Sequence, residues 1–175
     1  GMGLFILTEA VLFATLFAAY FYLFSAAGDW PPVGFEPPDL RIPLVNTVLL
    51  LSSSGAMVFA ERSAGHSRSR FLAGLAAAFC LGLAFLGLQL SEYASTALAP
   101  DQHAYASLFF TLTGFHGLHV FVGLLLMAYL AACTLLAPGR DTSKVAIRNV
   151  AAYWHFVDAV WIGVFATAYL VPHLS

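Results

Sequence analysis

The sequence predicts an all-α integral membrane protein, built as a bundle of five transmembrane helices. Of its 175 residues, 61% are hydrophobic and only 9% are charged, whereas a soluble domain carries about 25% charged residues. Five stretches are long enough to cross a bilayer, because about 20 apolar residues of helix span its roughly 30 Å of hydrocarbon. Backbone groups in lipid must be paired within the protein, which favours helices. We therefore expect a single transmembrane domain over residues 1–175.

The predicted spans follow one another closely along the chain. The first connection is the longest, and residues 28–39 within it are rich in proline, which cannot continue a helix. The other three connections are short, and this favours antiparallel contact between successive helices. The five predicted spans cover residues 3–24, 43–60, 71–91, 105–136 and 148–171.

Charge and cysteine content exclude several classes of function. Seven Lys and Arg residues against nine Asp and Glu residues leave no basic surface large enough for a nucleic-acid backbone. Cys80 and Cys133 lie in apolar stretches, without the spacing of a zinc module or a disulfide framework. We expect both to be buried apolar side chains.

The distribution of positive charge predicts the orientation of the chain. Six of the seven cationic residues lie in or beside the second and fourth connections, and basic connections stay on the cytoplasmic side of a membrane. The amino end is then cytoplasmic and the carboxyl end faces outward. We expect the membrane to be a bacterial plasma membrane. The six residues are Arg62, Arg68, Arg70, Arg140, Lys144 and Arg148.

Polar side chains inside the apolar spans are the candidate functional residues. Glu9 lies in the first span and Asp158 in the fifth, where an ionised carboxyl costs on the order of 3 kcal/mol. Each is expected to be protonated, hydrogen-bonded or turned toward a polar interior. His116 and His119 share a face of the fourth span, and His155 shares a face with Asp158. All five lie between mid-membrane and the cytoplasmic side.

These five side chains are compatible with several arrangements. Residues three apart on a helix can bind a metal, but the Glu-x-x-His repeat on two helices that often accompanies such sites is missing. We therefore favour a polar network, with a structural and a proton-linked role left open. Haem bound by this chain alone is not expected, because aromatic residues flank His116 and His155 and predict tight packing.

Three further groups of residues receive structural interpretations. Two polar residues at the outward end of the third span, Gln89 and Glu92, are expected to be solvated there. Aromatic residues near span ends are expected to anchor the chain at the membrane surface. Small residues every fourth position on the third span predict a seam for close helix packing. The aromatic residues are Trp30, Tyr105, Tyr153 and Tyr169, and the small ones are Gly74, Ala78 and Gly82.

Two strings of residues carry a family resemblance. TGFHGLHV occupies residues 113–120 in the fourth span, and YWHFVDAVW occupies residues 153–161 in the fifth. Both closely resemble the signature helices of cytochrome c oxidase subunit III, part of the haem-copper oxidases. Other matching segments fall in the family's order, so the resemblance covers essentially all 175 residues. They are Thr8-Glu9, Pro43-Leu44-Val45-Asn46-Thr47 with Leu51-Ser52-Ser53, and Gln89 with Glu92-Tyr93.

The resemblance implies a supporting role in a respiratory complex. The family's subunit III holds no haem or copper and has no catalytic residue. It packs against subunit I, which holds the haems and the copper where oxygen is reduced, and subunit II completes the complex. The complex takes electrons from cytochrome c and pumps protons, and subunit III is thought to steady proton uptake. Glu9 matches the family's buried acid in the same helix, which implies a proton-linked or structural role.

The chain departs from many family members in helix number. They have seven helices, whereas this chain resembles a shorter form with five. The family ascribes bound lipid to the cleft beside the first two helices, which this form lacks. Membrane phospholipid would then occupy an exposed groove, with Lys144, Arg148 and His155 as candidate contacts, although plain cytoplasmic positive charge also explains the two basic residues.

Three alternative functions remain open. A subunit of a quinol oxidase, or an accessory subunit of a nitric oxide reductase, would share much of this pattern. An independent proton-coupled transporter would use Glu9, His155 and Asp158 as a relay, but we find no internal repeat and no pair of Gly- or Pro-broken spans, which commonly mark transporters. A membrane metalloenzyme is the third alternative.

Overall fold

Five membrane-length helices make up most of the described chain. The computed structural model describes residues 1–27, 30, 39–96, 102–136 and 143–174. Their length and apolar composition confirm the predicted all-α class with five membrane spans. The helices are α1 (Met2–Ala26), α2 (Arg41–Ser63), α3 (Arg68–Ser95), α4 (Ala104–Leu136) and α5 (Lys144–Val164).

The helix ends differ from the predicted spans by a few residues. α2 and α3 begin and end in polar residues, which extend a helix but do not contribute to an apolar stretch. α5 continues without a break into a π-helical segment, Phe165–Leu170, and a last turn, Val171–Leu174. The proline-rich connection predicted over residues 28–39 lies outside the described residues, apart from Trp30 and Asp39.

α2 and α3 pack closely as a helical hairpin. Gly65, in the turn between them, has a φ of +80°, a conformation that glycine adopts without steric cost. Ser67 caps α3, because its side-chain oxygen accepts a hydrogen bond from the backbone N–H of Arg70. A Cβ atom added to Gly74 would lie only 2.9 Å from Ala60. A glycine at this position therefore lets the two helices approach closely.

The indole ring of Trp154 joins α5 to three other helices. The ring is fully buried, and a Cβ atom added to Gly82 of α3 or to Gly123 of α4 would lie 2.7 Å from it. Its ring N–H donates a hydrogen bond to Ser53 Oγ of α2 over 3.0 Å. The small residues predicted as a seam on α3 are all buried, which confirms that prediction. They are Gly74, Ala78 and Gly82.

Four aromatic residues expected at the membrane surface lie inside the bundle instead. Tyr105 and Tyr169 have no exposed surface, and Tyr153 and Trp30 are buried as well. The hydroxyl of Tyr105 donates to the backbone carbonyl of Ala168 over 2.8 Å. The interpretation as surface anchors is wrong, because a tyrosine near a helix end can satisfy its hydroxyl on a neighbouring helix rather than in water.

The outer surface of the bundle is apolar, as expected in a membrane. Cys80 is exposed and Cys133 is half-buried, so the expectation that both cysteines are buried is wrong. α1 contributes much of this surface, since Phe13 and Tyr20 are its only buried residues. An exposed apolar helix face is stable against lipid or against a neighbouring membrane helix, so these cysteines need no contact within the chain.

Replacing Gly82 by alanine should destabilise the bundle. The new Cβ atom would lie 2.7 Å from Trp154 and 3.0 Å from Leu124, and overpacking of this kind costs about 1–3 kcal/mol. Gly87→Ala on the same helix is the control, because no atom lies within 4 Å of the added Cβ. The free energy of unfolding in mixed detergent micelles measures the difference. Equal values for the two variants would contradict the packing described here.

Candidate functional site

Glu9 of α1 and His119 of α4 form a hydrogen-bonded pair. Glu9 Oε2 lies 2.9 Å from His119 Nε2, and the two side chains are 20% and 10% exposed. His119 Nδ1 lies 2.7 Å from the backbone carbonyl of Phe115. The ring of His119 also contacts the edge of Phe13, at 5.0 Å between ring centroids. The sequence predicted both residues as candidates, and the structure brings them together.

The second nitrogen of His119 fixes how protons are distributed in this pair. A carbonyl oxygen only accepts hydrogen bonds, so Nδ1 carries a proton and donates it to Phe115. Nε2 and Glu9 Oε2 then share one more proton. It lies on the carboxyl, giving two neutral groups, or on the ring, giving an ion pair. The pair is neutral overall in both forms, which suits a site at membrane depth.

His155 and Asp158, one turn apart on α5, both lie beside Ser54 of α2. Ser54 Oγ is 2.6 Å from His155 Nδ1, and either atom can donate the hydrogen bond. Ser54 also lies close to Asp158, but its hydroxyl group forms its hydrogen bond with His155. Neither carboxyl oxygen of Asp158 has a hydrogen-bond partner among the described residues, although the side chain is only 5% exposed. The structure therefore groups these three residues and leaves Asp158 unsatisfied.

His116 lies apart from the other candidates. It is completely buried, and neither ring nitrogen has a hydrogen-bond partner within the described parts of the chain. Its ring contacts Trp161 and Phe85, at centroid distances of 5.0 and 5.5 Å. His119, three positions later on the same helix, contacts Glu9 of α1 instead. The five candidates thus form two separate groups and one isolated histidine; the role predicted for them stays a prediction.

A third polar group lies at the other end of the bundle, and the sequence did not predict that its residues bond to one another. Glu92 Oε2 accepts hydrogen bonds from Gln89 Nε2 and from the hydroxyl of Tyr169, each over 2.9 Å. Asn46 Nδ2 donates to Gln89 Oε1 over 3.3 Å. All four side chains are buried. The expectation that Gln89 and Glu92 are solvated is therefore wrong.

The prediction that Gln89 and Glu92 are solvated failed because it considered α3 without its neighbouring helices. Depth along α3 alone places Gln89 and Glu92 near water, but α2 and α5 cover them and supply hydrogen-bond partners. Tyr169 lies in the π-helical segment after α5, whose wider turn changes the direction of the side chains. The available signal was the spacing of Gln89 and Glu92, which puts both on one face of α3.

The basic residues near the start of α5 lie beside a groove. Arg148, Asn149 and His155 line it together with Glu61 at the end of α2, and its volume is about 490 Å³. Lys144, the other predicted lipid contact, is exposed and lies near the turn between α2 and α3. In the described residues, no three His, Cys, Asp or Glu side chains come together as a metal site would require.

The chain is similar to known proteins over nearly its whole length. The family model described as Cytochrome c oxidase subunit III matches residues 1–172. Cytochrome c oxidase subunit 3 of Pongo pygmaeus is 36% identical, over 97% of this chain and 67% of the relative. Proteins of the same name from Pyricularia grisea and Neurospora crassa are each 34% identical, over 97% of this chain and 65% of the relative. The chain thus spans about two thirds of the length of these relatives.

Proposed function

This chain belongs to the cytochrome c oxidase subunit III family, and we propose that it is a non-catalytic subunit of a proton-pumping haem-copper respiratory oxidase. The observation that carries the proposal is the family match over residues 1–172. The interior of the bundle supports it. Bulky aromatic side chains such as Trp154 and Trp161 fill the space between the helices, so the described part of the bundle is suited to a supporting role.

The redox chemistry of the complex belongs to partner chains in this proposal. Subunit I holds the haems and the copper where oxygen is reduced, and subunit II completes the complex that takes electrons from cytochrome c. The names of the relatives support the electron donor and the assembly. His116 supports this division: its ring nitrogens have no hydrogen-bond partner among the described residues, and Phe85 and Trp161 lie against its ring.

The Glu9–His119 pair is the proposed link between this subunit and proton uptake. A proton can move between the carboxyl and the ring over 2.9 Å without a change in the total charge of the pair. Both side chains keep some exposure at the bundle surface, where a partner subunit would contact them. The same hydrogen bond joins α1 to α4, so the pair is also proposed to have a structural role.

The groove beside α5 is proposed to hold a membrane phospholipid. Arg148 and His155 line the groove, and a cationic side chain there attracts an anionic headgroup. Glu61, which also lines the groove, would accept hydrogen bonds from headgroup hydroxyls or ammonium groups. Lys144, exposed near the same end of the bundle, adds positive charge.

The amino end is proposed to face the cytoplasm and the carboxyl end the outside. The support is the clustering of basic residues at one end of the bundle, around the turn between α2 and α3 and at the start of α5. The bacterial plasma membrane stays a prediction, since the relatives compared above come from an animal and two fungi.

Reporter fusions test this orientation. A reporter that is active only outside the cytoplasm, fused after Ser175, should be active. The same reporter fused after Gly65, between α2 and α3, should be inactive. These outcomes follow from the cytoplasmic retention of basic connections. The reverse pattern, with activity at Gly65 and none at Ser175, would refute the orientation.

Purification through a tag on this chain tests the proposed function. In mild detergent, the chain should carry with it a large multi-helix protein and haem absorption bands in a reduced-minus-oxidised difference spectrum. Anionic phospholipid should be recovered from the same preparation by extraction and mass spectrometry. Membranes with an untagged chain, treated identically, are the control. A colourless chain that migrates alone would overturn the proposal and favour the transporter interpretation.

A further inference from the structure

The buried carboxyl of Asp158 is a polar group for which the proposed function gives no role. Its two oxygens have no hydrogen-bond partner in the described residues, and the side chain is 5% exposed. A carboxyl group in such a place is stable only if it is protonated or if a donor reaches it. Ser54 is the neighbouring group that can supply a donor, because it lies close to Asp158 and carries a hydroxyl group.

Ser54 connects Asp158 to a side chain at the protein surface. The hydroxyl of Ser54 lies 2.6 Å from His155 Nδ1. His155 is only partly buried, and it lines the groove of about 490 Å³ together with Arg148 and Glu61. A continuous series of exchangeable groups thus leads from an open groove to an otherwise enclosed acid.

We propose that His155 and Ser54 form a proton-exchange path between the groove and Asp158, so that Asp158 is a proton-accepting site of the bundle. This deepens the proton-linked role proposed above and rests on it for its use in a complex. The exchange itself is a property of this chain.

The three groups can carry a proton without leaving an unpaired charge along the path. A hydronium ion in the groove gives a proton to His155, and the ring releases the proton on Nδ1 to Ser54 Oγ. Ser54 then gives its own hydroxyl proton to a carboxylate oxygen of Asp158. The products are water and a neutral carboxyl group. The path is reset when the Ser54 hydroxyl rotates and a proton returns to Nδ1 of His155.

The same residues satisfy both protonation states of Asp158. When the acid is ionised, Ser54 donates to it and His155 Nδ1 donates to Ser54. When the acid is protonated, it donates to Ser54, and Ser54 donates to His155 Nδ1. A hydroxyl group can reverse in this way because it is both a donor and an acceptor.

Other titratable groups of the described helices do not supply this path. Glu9 and His119 are bonded to each other, and His116 is enclosed by aromatic rings without a hydrogen bond. Glu61 and Arg148 line the groove with His155, and neither is bonded to Ser54 or Asp158 in the described residues.

Infrared spectroscopy of the purified tagged protein, in the assembly in which it is isolated, tests the path. The carbonyl stretch of a protonated Asp158 is identified as the band lost in Asp158→Asn, over a series of pH values. After transfer to heavy water, the band should shift rapidly in the wild type. Ser54→Ala and His155→Phe should slow this shift about tenfold or more, the rate effect expected when one hydrogen-bonded step is lost.

Two variants separate the path from a merely structural role. Ser54→Thr keeps a hydroxyl and should retain rapid exchange, even if its packing changes. Ser52→Ala removes an exposed hydroxyl from the same helix and should exchange like the wild type. Equal exchange rates in Ser54→Ala, His155→Phe and Ser52→Ala would overturn the proposal, as would the lack of an Asp158 band at every pH. Rapid exchange in a preparation without haem would support the path while the proposed function fails.

Discussion

The hydrogen bond between Glu9 and His119 joins α1 to the rest of the bundle, and the position of α1 depends on it. Helices in a membrane gain little from apolar contact, because lipid is as apolar as another helix. α1 buries only Phe13 and Tyr20, so its position has to come from specific contacts. The Glu9–His119 bond supplies one near the start of α1, and the close approach of Phe17 to Gly163 supplies another farther along the helix.

Polar contacts at two depths fix the remaining helices around α5. Toward one end, Ser54 of α2 binds His155; toward the other, Glu92 of α3 accepts a hydrogen bond from Tyr169. Beside the first of these contacts, Trp154 fills the space left by two glycines. An arrangement held at both depths resists rotation of α5, which suits a subunit whose proposed task is to support a catalytic partner.

The helices and the seam on α3 could be predicted because they depend on composition and spacing along one segment. Partners across helices could not, since they depend on how each helix is rotated about its axis. Gln89 and Glu92 show the difference: their depth suggests water, but Asn46 and Tyr169 cover them. The sequence likewise identified Glu9, His116 and His119 as polar groups in the same half of the membrane, without revealing that only Glu9 and His119 meet.

A double-mutant cycle between Glu9 and His119 tests most directly whether this bond positions α1. The free energy of unfolding is measured in mixed micelles for Glu9→Met, His119→Phe and the double variant. The account predicts a coupling free energy of about 1–2 kcal/mol, the upper range for hydrogen bonds between membrane helices. Thr15→Val combined with His119→Phe should show no coupling, because Thr15 is exposed and bonds within its own helix. Additive effects of Glu9→Met and His119→Phe would contradict the account.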